Sequence, residues 1–212
     1  MTNRPSLILF CLLVFILILT TILTQNHQVL NFSISNDKLE QENAKKDWET
    51  VEKKFEDAKI LLQTNRSQQA LKIFTELEQQ LGKNNHLIKF RLQAQIALGK
   101  NEQALKDLDE LIKIYDADPD FHRLHVIAAL ACQKIPQADS SLKRLYKFNN
   151  RDPYNLLLTA FLLATNKQAL EAQKYYSAAQ KAYAHNFLKV SNTPILKNLN
   201  EKLFVKRTLH NE

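Results

Sequence analysis

A 34-residue period restricts the fold of this chain more than any other feature of its sequence. Alanine recurs at one position of the period, at Ala70, Ala104, Ala138 and Ala172. Larger apolar or aromatic residues follow four positions later, at Phe74, Leu108, Leu142 and Tyr176. These offsets place the residues on one face of a helix, where the alanine lets a second helix approach closely and the larger residue fills the groove beside it.

A second helix is predicted before each alanine. Apolar residues stand ten and eight positions upstream, at Ile60 and Leu62, Ala94 and Ile96, Ala128 and Leu130, and Leu162 and Ala164. We predict the turns between the paired helices near Asn65–Arg66, Gly99–Lys100, Gln133–Lys134 and Lys167–Gln168. Pro119 and Pro153 share one position of the period, and proline is typical of a first helical turn. The period therefore predicts helix–turn–helix units in series.

The composition agrees with an all-α fold. The chain has only 2 Gly in 212 residues, too few for glycine-rich phosphate-binding loops or glycine-rich hairpins. Leu, Ala, Lys, Gln and Glu dominate instead, and these residues favour helices. An enzyme built on a glycine-rich nucleotide-binding loop is therefore not expected.

The repeated unit resembles the tetratricopeptide repeat (TPR), a helix–turn–helix of 34 residues. The second copy, LQAQIALGKNEQALKDLDELIKIYDADPD, carries the resemblance best, with Gly99 at the turn and Ala104 five residues later. The resemblance covers about residues 51–184 and implies a right-handed α-solenoid of about four repeats, with the repeat domain over 47–184. The chain departs from the family where Trp and Gly are missing near the start of each repeat.

The resemblance also implies where a partner binds, because the first helix of each repeat lines the concave face of such a solenoid. The implied partner-binding groove consists of Phe55, Lys59, Lys89, Gln93, Arg123, Ile127, Tyr154, Leu157 and Phe161. An apolar centre with cations at Lys59, Lys89 and Arg123 suits an extended or helical peptide with apolar side chains and some acidic character. The alternative for each residue is packing between repeats or exposure to solvent.

The N-terminal residues 1–24 differ from the rest of the chain. Leu7 to Leu23 reads LILFCLLVFILILTTIL and carries no charge. As a helix it is roughly 26 Å long, close to the hydrocarbon thickness of a bilayer. We predict an uncleaved single-pass membrane anchor, with a cleaved signal peptide as the alternative. Arg4 before the span favours a cytoplasmic N-terminus and an exported, periplasmic repeat domain at a bacterial inner membrane.

Two further segments flank the repeats. Residues 25–46 are polar and read as a linker between the anchor and the repeats. Residues 185–212 are expected to form a C-terminal capping helix and a basic tail, since repeat arrays need a terminal helix over the last apolar face. The helix is predicted over 194–207, with Ile195, Leu196, Leu199, Leu203 and Phe204 on one side. The excess of basic over acidic side chains is greatest at this end of the chain, where residues 181–212 carry 6 basic and 2 acidic side chains.

Catalytic and metal-binding patterns are not evident in the sequence. We find no Cys-x-x-Cys, His-Glu-x-x-His or Gly-x-Ser-x-Gly motif and no nucleophile paired with a base. His122 and His125 are three residues apart on a predicted helix, so a metal site that uses both is an alternative, although no third ligand stands at a suitable spacing. We expect no enzymatic activity, no cofactor and no small-molecule substrate.

The sequence thus predicts a membrane-tethered scaffold that binds a partner protein or peptide and contacts the membrane through residues 7–23. In architecture it resembles bacterial envelope accessory and assembly factors, which implies a role in envelope complex assembly, protein export or cytochrome c maturation. An integral structural subunit of a larger membrane complex is the alternative. Nucleic-acid binding is not expected, because it needs a denser basic stripe.

Overall fold

The repeat period appears as a series of helices in the computed structural model of this chain, which describes residues 45–149, 152–184, 187–191, 193–201 and 203. Within those ranges the regular elements are helices, with no strands. The helices are α1 over 45–63, α2 Ser67–Leu81, α3 Asn85–Ala97, α4 Asn101–Ile114, α5 Pro119–Ala131, α6 Ile135–Phe148, α7 Pro153–Thr165, α8 Ala169–Tyr183, α9 Phe187–Ser191 and α10 Lys197–Asn200. The described residues are therefore all-helical and compatible with an α-solenoid.

The chain separates into two compact units, Met1–Lys53 and Lys54–Glu212, and the boundary falls within α1. The predicted membrane-spanning run 7–23 and the predicted linker as far as residue 44 lie outside the described residues. Residues 45 and 46, assigned to that linker, are already helical. Across the ranges that the structure describes, every helix is too short or too polar to cross a bilayer.

The turns within the helix pairs repeat one backbone conformation. Asn65, Gly99, Gln133 and Lys167, spaced 34 residues apart, have φ values of 61°, 76°, 60° and 63°. The N–H after each of them bonds back over five residues, as from Arg66 N to Leu61 O at 2.8 Å and from Lys100 N to Gln95 O at 2.9 Å. This pairing satisfies carbonyls at the end of a helix and needs one left-handed residue. The predicted turn positions are confirmed.

Replacing Gln133 with glycine is expected to raise the free energy of unfolding by about 1 kcal/mol. A side chain at positive φ is strained, and glycine relieves that strain without loss of a helix contact. The reciprocal change, Gly99→Ala, is expected to cost a similar amount, because a Cβ at Gly99 meets no atom within 4 Å and only the backbone strain counts. Urea unfolding of the full chain measures both, and Gln133→Ala, which keeps the strain, is the control. Equal stability of Gln133→Gly and Gln133→Ala would contradict the expectation.

The helices that follow the longer connections share a cap with the same period. Asn84, Asp118 and Asp152 are the N-cap residues of α3, α5 and α7, again 34 residues apart. Each side chain accepts a hydrogen bond from the N–H two residues later, which satisfies a donor that the helix leaves free. Proline follows two of these caps, at the first helical position. Three units of the period thus begin at matching caps, and all four contain a turn at the matching position.

Successive helices pack on one another, and alternate helices also meet. α5 packs on α4, α6 and additionally on α3 and α7. The helices α3, α5 and α7 therefore form a continuous surface, called here the odd-helix face. The four alanines of the period, Ala70, Ala104, Ala138 and Ala172, are buried between helices.

The helix predicted over 194–207 lies only partly within the described residues. There, residues 193–196 form a bend and turns, α10 follows, and residues 201 and 203 are also helical. In α9, Phe187 packs edge-on against the Tyr176 ring of α8, with the ring centroids 5.1 Å apart. Beyond α9, the side chains of Leu196, Leu199 and Leu203 are buried in the core. Phe204 and the rest of the predicted basic tail lie outside the described residues.

Candidate functional site

A chain of ion pairs, called here the ionic ladder, connects the three helices of the odd-helix face. Lys89 Nζ of α3 lies 2.6 Å from Asp118 Oδ2 and 3.1 Å from Asp120 Oδ2. The guanidinium of Arg123 on α5 lies 2.6 Å from Asp120 Oδ1 and 2.7 Å from Asp152 Oδ2. Three carboxylates thus surround two cations, which leaves one negative charge in excess. The predicted groove cations Lys89 and Arg123 are both neutralised within the chain.

The ladder is positioned by the helix caps. Asp118 and Asp152 use Oδ1 to accept the capping hydrogen bond, at 3.0 Å and 2.9 Å, and use Oδ2 to pair with a cation of the ladder. The cap holds each aspartate in one orientation and so reduces the entropy lost when the ion pair forms. The spacing of the caps in the sequence therefore determines where the negative charges lie.

The pKa values of Lys89, Asp120 and Arg123 are shifted in the directions that favour their charged forms. Burial alone would lower the pKa of Lys89, but its hydrogen bonds to Asp118 and Asp120 outweigh burial and raise that pKa above its ordinary value. Burial alone would raise the pKa of Asp120, but Lys89 and Arg123 outweigh it and lower the pKa. The pKa of Arg123 is raised in the same way, chiefly by Asp152 acting against burial.

A cavity of about 420 Å³ lies beside the ladder on the odd-helix face. Its lining combines charged, aromatic and aliphatic side chains: Gln93, Asp120, Arg123, Leu124, Ile127, Asp152, Tyr154, Tyr183 and Ile195. The Arg123 guanidinium lies over the Tyr154 ring, 5.8 Å from its centroid. Such a surface offers apolar area together with a few oriented polar groups, which is typical of binding sites.

Two tyrosines give this cavity neutral hydroxyl groups. Burial raises the pKa of Tyr154 above its ordinary value, and burial together with the charge of Asp152 raises the pKa of Tyr183 to about 12. Both phenols therefore keep their proton at physiological pH and are able to donate a hydrogen bond.

Four of the nine predicted groove residues, Gln93, Arg123, Ile127 and Tyr154, meet in this cavity. Lys89 joins it through the shared carboxylate of Asp120. The sequence analysis missed Asp118, Asp152, Tyr183 and Ile195. The 34-residue spacing of Asn84, Asp118 and Asp152 was a signal for the acidic side of the site.

Phe55 and Lys59 belong to a separate aromatic cluster near the start of the compact unit Lys54–Glu212. The Phe55 ring lies 5.8 Å from the Phe74 ring and 5.2 Å from the Phe90 ring, between centroids. Lys59 Nζ lies 5.5 Å from the Phe55 centroid and pairs with Glu56 at 2.9 Å. The Lys59 ammonium is therefore also paired with a carboxylate of the same chain.

Leu157 and Phe161, the remaining two predicted groove residues, are fully buried, with 0% of each residue exposed. They lie in the hydrophobic core with the buried residues of α5 and α8. In this structure both side chains pack within the apolar core.

A hydrogen-bonded set of side chains connects α4, α5 and α6. His125 Nε2 lies 2.9 Å from Asp109 Oδ1, and its Nδ1 lies 3.0 Å from Ser141 Oγ. This pairing was not predicted from the sequence. Ser141 is 3% exposed and lies inside helix α6. The set stabilises packing among three helices.

His122 and His125 do not converge on a common site. The Nε2 atom of His122 lies 3.0 Å from the carbonyl oxygen of Asp116, whereas His125 bonds to Asp109 and Ser141. In the part of the chain that the structure describes, no three His, Cys, Asp or Glu side chains are grouped as metal ligands would be.

Stability is expected to fall as the pH drops below about 6.5, because His125 is neutral in the folded chain. Burial lowers the pKa of His125 further than Asp109 raises it, and the charge of His122 adds to the lowering. The facing groups on α6, Ser141 and Gln137, are uncharged. The unfolded chain binds a proton at a higher pH than the folded chain, so this contribution is complete above pH 6.5 and is lost as the pH falls through the folded pKa.

Urea unfolding between pH 8 and pH 5 measures this effect, whose slope for one proton is at most about 1.4 kcal/mol per pH unit. The His125→Gln variant is expected to be less stable at pH 8 and to show a shallower loss toward pH 5. Identical pH slopes in the two proteins would rule out His125 as the source.

A larger cavity, of about 650 Å³, lies between α4 and α6 and is rich in cations, including Lys113, Arg144 and Lys147. Lys113 and Lys147 lie in the last turns of their helices, where positive charge stabilises the helix dipole. Arg144 is paired with Asp116. Helix stabilisation accounts for these cations, and the odd-helix face remains the candidate site.

No protein-family model, curated protein or solved structure matches this chain. The functional interpretation therefore depends on the geometry of the odd-helix face and on the sequence period.

Proposed function

We propose that this protein is a scaffold that binds a segment of a partner protein on the odd-helix face. The observation that carries the proposal is the cavity beside the ionic ladder, where Gln93, Arg123, Ile127 and Tyr154 meet. Residues of α3, α5, α7 and α8 supply most of its lining, and Ile195 supplies the rest, so packed helices hold most of the surface in place and little ordering is required on binding.

Membership of the TPR family, with about four repeats in a right-handed α-solenoid, is part of this proposal. It is supported by the recurrence of one 34-residue period in three independent places: the buried alanines, the left-handed turn residues and the helix caps. Contacts of α5 with both α3 and α7 fit a stack in which each repeat meets the next.

The charges of the face bear on the chemistry of the partner. Lys59, Lys89 and Arg123 were the reason to expect acidic character. Lys59 pairs with Glu56, and the other two cations pair with Asp118, Asp120 and Asp152, which removes that reason. The ladder has an excess of one carboxylate. We therefore propose a partner segment with aliphatic side chains and neutral or basic polar ones.

The proposed location follows from the N-terminal sequence. The uncharged run from Leu7 to Leu23 supports a single-pass anchor, and Arg4 before it supports a cytoplasmic N-terminus with the repeats in the periplasm. A tethered scaffold of this kind fits a role in envelope complex assembly, protein export or cytochrome c maturation.

Photocrosslinking in the native membrane tests the proposed function. A photoreactive amino acid is placed at Gln93 of the full chain, and at Lys106 of the same protein as the control, since Lys106 is exposed on α4. We expect position 93 to give a discrete intermolecular adduct, identified by mass spectrometry, and position 106 to give none. Absence of an adduct at 93, or equal adducts at both positions, would refute binding on the odd-helix face.

A further inference from the structure

The C-terminal residues 193–201 and 203, called here the return segment, lie on the odd-helix face. Ile195 lines the cavity beside the ionic ladder together with Gln93 of α3, Leu124 of α5 and Tyr154 of α7. The return segment therefore crosses the surface made by three successive odd helices. Had it only extended the stack beyond α8, it would not reach α3.

A second cavity shows how far the return segment extends. This cavity, of about 540 Å³, is lined by Pro194, Lys197 and Glu201 together with residues 65–69 and Leu98. Residues 65–69 form the first turn of the repeats and the start of α2, and Leu98 follows α3. The return segment thus runs back from the last helix pair to the first.

The return segment is held by the contacts that a bound peptide would make. Leu196, Leu199 and Leu203 are 0%, 6% and 7% exposed, and they belong to the same apolar core as Leu92 and Ile127. In addition, the Tyr176 hydroxyl donates a hydrogen bond to Asn200 Oδ1 at 2.9 Å. Apolar anchors with one oriented polar contact are typical of peptide recognition by a groove.

The spacing of the anchors is that of an amphipathic helix. The leucines stand at positions i, i+3 and i+7, which share one helical face. Backbone hydrogen bonds from Lys197 N to Thr193 O at 2.8 Å and from Asn200 N to Leu196 O at 2.9 Å give the return segment helical geometry. A helix as short as α10 is not stable alone, so the odd-helix face induces this conformation.

We propose that the odd-helix face recognises an amphipathic helical segment of a partner with large aliphatic residues at i, i+3 and i+7, and that the return segment is its internal competitor. This inference rests on the proposed function, for which it names the class of ligand. A tethered competitor is present at a high effective concentration. The apparent affinity for the partner is then the intrinsic affinity multiplied by the fraction of time that the face is free.

Fluorescence anisotropy with a labelled peptide of the return segment, TPILKNLNEKL, tests the proposal on the full chain. The double variant L196D/L199D releases the internal copy, because two charges would otherwise be buried. We expect it to bind the peptide about tenfold or more tightly than the unmodified chain does. The variant Leu199→Ala, a milder change, is expected to give a gain of a few fold.

The controls separate release from general damage. Lys197→Ala alters a half-exposed residue of the same segment and is expected to bind the peptide as the unmodified chain does. A peptide with aspartate in place of the leucines that correspond to Leu196 and Leu199 is expected not to bind. Circular dichroism shows whether L196D/L199D stays helical. If L196D/L199D stays helical and its affinity for the peptide is no higher than that of the unmodified chain, the proposal is overturned. If its helicity is lost, Leu199→Ala decides: a gain of a few fold supports the proposal, and no gain overturns it.

The two proposals fail in different ways. An adduct at position 93 without a gain in peptide binding would refute internal competition and leave the binding face standing. A gain in peptide binding without an adduct at position 93 would instead refute the proposed function. It would show only that an added peptide replaces the return segment on this face.

Discussion

Replacing Phe161 with alanine is expected to lower the free energy of unfolding by about 3–5 kcal/mol, the usual cost of emptying a fully buried phenylalanine site. Phe161 is fully buried in α7 and lies in the main apolar core. The lost side chain leaves a cavity that the surrounding helices fill only partly. Urea unfolding of the full chain, followed by circular dichroism, measures the change.

The control for Phe161→Ala is Gln93→Ala, because Gln93 was assigned to the same predicted groove but lines the open cavity. We expect Gln93→Ala to change the free energy of unfolding by less than about 0.5 kcal/mol. If Phe161→Ala also cost less than about 1 kcal/mol, the placement of Phe161 in the core would be wrong, and a role on the binding face would be restored.

Replacing Ala172 with leucine is expected to destabilise the fold by up to about 3 kcal/mol, because the site has no room for a larger side chain. Ala172 belongs to the 34-residue period and is 1% exposed, where α8 packs closely on α7. Added methyl groups would push the two helices apart. The midpoint and the free energy of urea unfolding report this change.

Ala182→Leu is the matched control, since it makes the same substitution at an exposed position of the same helix. We expect it to alter the free energy of unfolding by no more than about 0.5 kcal/mol. Equal effects at Ala172 and Ala182 would show that the period does not mark close helix packing.

The positions within the repeats could be predicted from the sequence because helix packing is local and periodic. The turn at Gln133, for example, follows from its distance to Gly99, although glutamine carries no preference for a left-handed conformation. The C-terminal residues could not be predicted in the same way. The spacing of their leucines predicts an amphipathic helix, but the 34-residue period does not predict which apolar surface these leucines cover.

The candidate site was predictable in part. The period places Gln93, Arg123, Ile127 and Tyr154 on first helices of repeats, and the structure brings them together. The resemblance to the tetratricopeptide repeat also assigned Phe161 to the groove. Phe161 and Ile127, one period earlier, are both fully buried, but only Ile127 of the two lines the cavity. A repeat position defines a direction from the helix axis, but its exposure depends on what the neighbouring helices and the return segment cover.

By itself, the sequence determined the helical units, their turns and their close-packed faces, since a 34-residue period and a small residue between larger ones leave few alternatives. Only the tertiary structure decided the charge of the odd-helix face and which residues cover it. Ion pairs between residues such as Lys89 and Asp118 depend on caps and helices that meet only after folding. The return segment lies on the odd-helix face because its leucines are buried there in an apolar core formed by several helices. A single helix offers a smaller apolar surface.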